Sequence, residues 1–247
     1  MSPSKLLVIS ALLLTGCGSP SEEAPVTKNA PAVSSVATPP EAPAIETPAT
    51  LDEAAYKIVM LGDSLTAGYG LSPSDALPEQ IEYILLGDGL DVDLVNAGVS
   101  GDTSAGGLAR YDWSVTSADP DLLVVALGAN DYLGGVDPAR TRANLSAIIE
   151  RAQADDLPVL LVSVSARSNA ADDPRAAEFA AIYPELAQTY GVDLYEGLVD
   201  DVQDRPDLLQ PDGLHPTAEG VIVIATPLAA AIARLVSIDE AAQKDSR

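Results

Sequence analysis

Residues 62–70 read GDSLTAGYG and follow the apolar run YKIVML directly, so Ser64 falls where a buried strand ends. A core strand has no use for Gly-Asp-Ser at its tip, whereas a nucleophile is well presented there. A serine hydroxyl is a poor nucleophile at neutral pH and needs a base. The chain holds one histidine, His215, in QPDGLHPTAEG. Asp212 precedes it by three residues, with Gly213 and Pro216 alongside. That spacing lets the carboxylate fold back onto the imidazole Nδ1 proton, which fixes the tautomer and leaves Nε2 to accept a proton. Any Ser-His mechanism in this chain must use His215.

Other chemistries are poorly supplied. One histidine and one cysteine do not make a zinc site of the usual kind, and the carboxylates are not spaced like a calcium loop. Neither metal nor cofactor is expected. The first strand-to-helix turn lacks G-x-G-x-x-G, and neither a phosphate-binding G-x-x-x-x-G-K-[ST] nor a G-x-S-x-G elbow occurs. The net charge of −24, from 37 acidic and 13 basic residues, argues against nucleic acid as a partner, because such binding needs a basic patch to displace phosphate counterions. It also works against polyanionic substrates.

The positioning elements follow from periodicity. Short apolar runs at YKIVML, DVDLVNAG, DLLVVALG, LPVLLVSV and GVDLYEGL alternate with segments of helical spacing. ALPEQIEYILLGDG places Leu77, Ile81, Ile84 and Leu85 on one stripe. Asp137-Pro138 and Asp173-Pro174 each read as an N-cap followed by proline at the first helical position. A strongly apolar last helix carries Pro227 as a candidate kink. The alternation predicts an α/β fold, a flavodoxin-like three-layer sandwich with a five-stranded parallel sheet. Sites in such sheets form at the carboxyl ends of strands, where GDS, NAGVSGD and GAND all lie.

With those stretches in hand, the chain resembles the SGNH (GDSL) hydrolases. GDSLTAGYG, a glycine in NAGVSGDTSAGGLAR, GAND and DGLHP stand in the order of that family's four blocks, over residues 56 to 236. The nearest resemblance is to the bacterial thioesterase I, lysophospholipase and arylesterase subgroup. It implies Ser64 as nucleophile, His215 as base and Asp212 as its orienting acid. It implies an oxyanion hole from the backbone N–H of Ser64, the backbone N–H of Gly98 and the amide of Asn130. Each residue also has a plain structural role open to it: Ser64 as a helix cap, Gly98 as a turn glycine, Asn130 with Asp131 as a helix entry, Asp212 as a turn residue. Asp63 reads as the closure of an Asx-type turn. The subgroup often has GGNDGLRG where this chain has GANDYLGG. Tyr132, Leu133 and Gly134 are therefore substrate-rim candidates, and the tyrosine wall at 132 together with the missing arginine at 134 implies a preference for compact, neutral acyl groups.

The implied function is hydrolysis of short to medium acyl or aryl esters, lysophospholipids or thioesters. O-deacetylation of envelope polysaccharide and a non-catalytic envelope lipoprotein are the alternatives. The organisation expected is a signal peptide over 1–16, a disordered Pro/Ala-rich tether over 17–54, a hydrolase domain over 55–237 and a polar tail over 238–247. Lys5, the run LLVISALLL and then LTGC resemble a lipoprotein signal, which implies lipidation of Cys17. A membrane would then be reached through that anchor. The enzyme would sit in the bacterial cell envelope on the periplasmic side, with the outer membrane favoured and a monomer expected.

Overall fold

The computed structural model describes residues 55–164 and 174–245. Cys17, the tether and the segment 165–173, with the cap at Asp173, lie outside the described residues.

Five strands alternate with helices: β1 (Tyr56–Gly62), β2 (Val92–Gly98), β3 (Leu122–Ala126), β4 (Val159–Val162) and β5 (Asp193–Tyr195). All pair in parallel in the order β2-β1-β3-β4-β5, which is the doubly wound arrangement expected. The inner strands β1, β3 and β4 read as near-continuous apolar runs because both of their faces are covered. Alternate residues serve opposite layers: Ile58 and Met60 of β1 join Val124 of β3 in one core, and Val59 and Leu61 join Val125 in the other.

The first core is closed by α2 (Leu77–Gly87) and α8 (Ala218–Asp245). Leu77, Ile81 and Leu85 meet Val221, Ile224, Leu228 and Ile232 there, while Ile84 lies at the margin. The second core is closed by α6 (Pro138–Ala154) and α7 (Pro174–Tyr190), through Leu145, Ile148 and Ile149 against Phe179, Ile182 and Leu186. Asp137 caps α6 by accepting a hydrogen bond from Ala139 N at 2.9 Å, with Pro138 in the first turn, as its sequence predicts.

The helix α8 runs through Pro227 and past residue 237 to Asp245, so the segment expected as a polar tail is helical there. The Tyr56 hydroxyl donates to Asp239 Oδ2 at 3.0 Å and ties that extension to the start of β1. Four short helices follow the strand tips: α1 (Ser64–Ala67), α3 (Ser104–Ala109), α4 (Tyr111–Ser114) and α5 (Ala129–Leu133); the sequence leaves helix starts open at Ser64 and at Asn130-Asp131 and shows no sign of α3 or α4. Three of them, α1, α3 and α5, follow β1, β2 and β3 and frame the site.

Candidate active site

Ser64 is the first residue of α1, immediately beyond the tip of β1. Asp63 is its N-cap, and Asp63 Oδ1 accepts from Leu65 N at 3.0 Å, the turn closure expected. As an opening residue of the helix, Ser64 has a backbone N–H with no intrahelical acceptor. Gly62 is needed for close approach: a Cβ there would lie 1.9 Å from Thr66 Oγ1.

The partner of Ser64 arrives 151 residues later. A bridge between Leu209 and Pro216 closes the loop before α8, and Gln210 N donates to His215 O at 2.7 Å. Gln210 Nε2 donates both to Pro216 O and to Tyr69 O, fastening this loop to the one that follows α1. Within the loop, Asp212 Oδ1 accepts from the N–H groups of Leu214 and His215 at 2.8 and 3.1 Å. Asp212 Oδ2 is 2.7 Å from His215 Nδ1, and His215 Nε2 is 2.9 Å from Ser64 Oγ. The bond to His215, then the two backbone donors, hold the Asp212 carboxyl at about 2, below its ordinary 3.8. It is therefore ionised throughout the neutral range. With Asp212 occupying Nδ1, Nε2 can take the serine proton. The Tyr69 ring covers the imidazole, its centroid 4.5 Å away.

The oxyanion side differs from expectation at one residue. Asn130, in α5, lies beside Ser64 in the pocket wall. Its amide is aimed by Asp102 O at 2.9 Å and Asp63 Oδ2 at 3.3 Å. Gly98 does not face the pocket. It pairs with Gly62 in the β1–β2 ladder, and its N–H is spent on Asn96 Oδ1 at 3.0 Å. Its lack of a side chain serves packing, because a Cβ would lie 2.3 Å from Ala67 N. Gly101, three residues on, lines the pocket instead. Its φ is +84°, and its N–H has no protein acceptor among the described residues. Ser64, Gly101 and Asn130 thus line the same pocket, with the N–H groups of Ser64 and Gly101 lacking a protein acceptor among the described residues.

The cavity in front of these groups holds about 380 Å³. Val164 just beyond β4, Phe179 of α7, and Val199, Val202 and Leu209 give it an apolar wall. Tyr132 and Leu133 line it as expected, and Tyr132 meets Phe179 edge-on at 5.2 Å. Gly134 does not line it. It caps α5, and a Cβ there would lie 2.9 Å from Asn130 O. The Arg175 guanidinium of α7 lies 5.1 Å over the Tyr132 ring.

Several supporting residues carry no catalytic signature in sequence. Asp63 is buried at 1% exposure, and burial pushes its carboxyl up to about 6, with Leu65 N–H and then His215 partly offsetting that. Asp131, equally buried, accepts from Ser104 N, Ser104 Oγ and Thr141 Oγ1, locking α5 to α3 and α6. Arg110 bridges Asp102 and the Gly62 carbonyl. A buried charge partner in a strand-tip loop is the one sequence cue for these residues. It does not say which partner each one takes.

A serine held to an imidazole and a carboxylate, on a parallel sheet of this order, defines a hydrolase that works through an acyl-enzyme. Comparison agrees. The GDSL-like lipase/acylhydrolase family matches residues 60–221, and the chain belongs to that family. An arylesterase of Vibrio mimicus is 35% identical over 168 residues, 68% of this chain and 83% of its own. Thioesterase 1/protease 1/lysophospholipase L1 of Escherichia coli is 36% identical over 188 residues, 75% of this chain and 88% of its own. The crystal structure of AlinE4, an SGNH-hydrolase family esterase, is 41% identical with a TM-score of 0.61, covering 73% of this chain and 96% of that one. The protein is a serine esterase, and the reading of the chain as a non-catalytic lipoprotein falls.

Proposed function

We propose that this esterase cleaves carboxylic esters of short to medium acyl chain through Ser64, His215 and Asp212. The observation that carries the reading is the unbroken relay of 2.9 and 2.7 Å from Ser64 Oγ through His215 to Asp212, set at the edge of an apolar cavity. Ser64 Oγ attacks the carbonyl carbon while Nε2 takes its proton. The negative oxygen is received by Ser64 N–H, Gly101 N–H and the Asn130 amide. For Asn130, the 3.3 Å bond to Asp63 is the one to yield. Collapse expels the alcohol, protonated by His215, and water activated by the same imidazole releases the acid. The apolar wall favours an acyl chain over a sugar, so aryl esters and lysophospholipids are the substrates to test first, with thioesters next.

Ser64→Ala is expected to abolish hydrolysis of p-nitrophenyl esters with the fold retained, and a fluorophosphonate probe to label the wild type once and the variant not at all. Persistent labelling would move the nucleophile. Anchoring through Cys17 belongs to the same proposal, supported by the LTGC run ahead of a proline-rich segment. Cys17→Ser should shift the protein from membrane to soluble fractions at equal specific activity, and unchanged partition would remove the anchor.

A further inference from the structure

Arg110 lies behind the catalytic residues and touches none of them. Its side chain is 16% exposed, in the short connection between α3 and α4. Its three hydrogen bonds go to three different places. Nε donates to Asp102 Oδ2 at 2.7 Å, Nη2 to Gly62 O at 2.9 Å and Nη1 to Ser114 Oγ at 3.0 Å. The first two partners matter because of their neighbours. Gly62 stands two residues before Ser64, so its carbonyl fixes the tip of β1 from which the Ser64 N–H projects. Asp102 follows Gly101, so holding its carboxylate fixes the loop that presents the Gly101 N–H. The Asp102 carbonyl in turn accepts from Asn130 Nδ2 at 2.9 Å. One planar guanidinium thus connects the backbone behind all three oxyanion donors.

We infer that Arg110 is the positioning residue of the oxyanion hole, setting the spacing between the Ser64 and Gly101 amides and, through Asp102, the aim of Asn130. The inference rests on the active-site reading above. Arginine suits the task because its fork donates in two fixed directions at once, which a lysine ammonium on a flexible stem does not reproduce. Donors that stabilise charge only in the transition state must be in place before the reaction, and a displacement of ~1 Å costs about 100-fold in rate. The carboxylate of Asp102 is equally required, since it receives one tine of the fork.

The test compares Arg110→Met, Arg110→Lys and Asp102→Asn with wild type on p-nitrophenyl butyrate. Inhibition by an alkyl trifluoromethyl ketone is measured alongside, because its serine adduct carries the oxyanion. Circular dichroism and thermal midpoints establish that each variant is folded. The expected result for Arg110→Met is a fall in kcat of about 10- to 100-fold. KM should be nearly unchanged, and the ketone should weaken by the same factor as kcat. Arg110→Lys keeps the charge but not the fork and should lose most of that activity too; it also serves if the methionine variant does not fold. Combined with Asn130→Ala, the losses should be less than multiplicative. A folded Arg110→Met with kcat within about threefold of wild type would overturn the inference, as would a loss in KM alone with undiminished ketone binding. If Asn130→Ala is itself fully active, the active-site reading fails and the inference falls with it. Retained Asn130 dependence beside an indifferent Arg110 overturns the inference alone.

Discussion

Asp63 holds its position at a cost. It caps α1 and steadies Asn130, yet burial makes its ionised form expensive, which is why its carboxyl titrates near 6. The folded protein therefore keeps this proton longer than the unfolded chain, whose ordinary value is 3.8. Its contribution to stability is complete below about pH 4, falls as pH rises to about 6, and is then constant, a loss of ~3 kcal/mol by linkage. Asp212 has the opposite sign: its stabilising contribution is present above pH 3.8 and lost toward pH 2, so the two windows do not overlap. Asp63→Asn keeps an oxygen for Leu65 N–H but turns an amide donor toward the Asn130 amide. Urea unfolding at pH 4 and pH 7 should show the variant losing less stability than wild type across that interval. Its kcat at pH 7 should be lower, by ~10-fold or more as one oxyanion donor is misdirected. Equal pH dependence of stability in both proteins would show that Asp63 does not ionise in this range.

The elements divide into those that announce themselves and those that do not. Long runs with a 3.6-residue stripe, such as α2 and α6, and continuous apolar strands were legible because periodicity carries the signal. Helices of four to six residues span too few turns to show a stripe, so α3 goes unseen in the sequence and α1 and α5 show only as open alternatives at Ser64 and Asn130-Asp131. Ser64, Asp212 and His215 were legible because their side-chain chemistry is rare and ordered along the chain. The oxyanion glycine was not: NAGVSGD offers two glycines, and only the fold shows that the Asn96 side chain consumes the Gly98 amide. Arg110 was hidden for the same reason, since its bond to Gly62 crosses 48 residues. The α5–α7 wall yields a prediction of its own. Truncating Tyr132 or Phe179 to alanine opens the edge-on pair that bounds the cavity. The ratio of kcat/KM for decanoate over butyrate esters should rise about tenfold, the scale of ~1 to 3 kcal/mol for pocket reshaping. An unchanged chain-length profile would place the acyl chain elsewhere.

At the scale of the whole molecule, the sheet order gathers the chemistry. The strands β2, β1 and β3 are neighbours, and the loops after them bring Gly101, Ser64 and Asn130 to one edge. The chain as a whole carries a net charge of −24. Such a field repels anionic esters more than neutral ones, and salt shortens its reach from ~10 Å at 0.1 M to ~3 Å at 1 M. For esters matched in acyl chain, kcat/KM should rise with sodium chloride when the alcohol carries a phosphate or sulfonate and stay level when it is neutral. Parallel salt profiles would mean that the field does not extend to the cavity mouth.

The solitary imidazole has a practical consequence. Because His215 is the only histidine, and its ring lies between Asp212, Ser64 and Tyr69, isotope labelling of histidine alone turns nuclear magnetic resonance into a view of the catalytic centre with no background. Tautomer, protonation and ring-current displacement by the tyrosine would each be read from one spin system, during turnover as well as at rest.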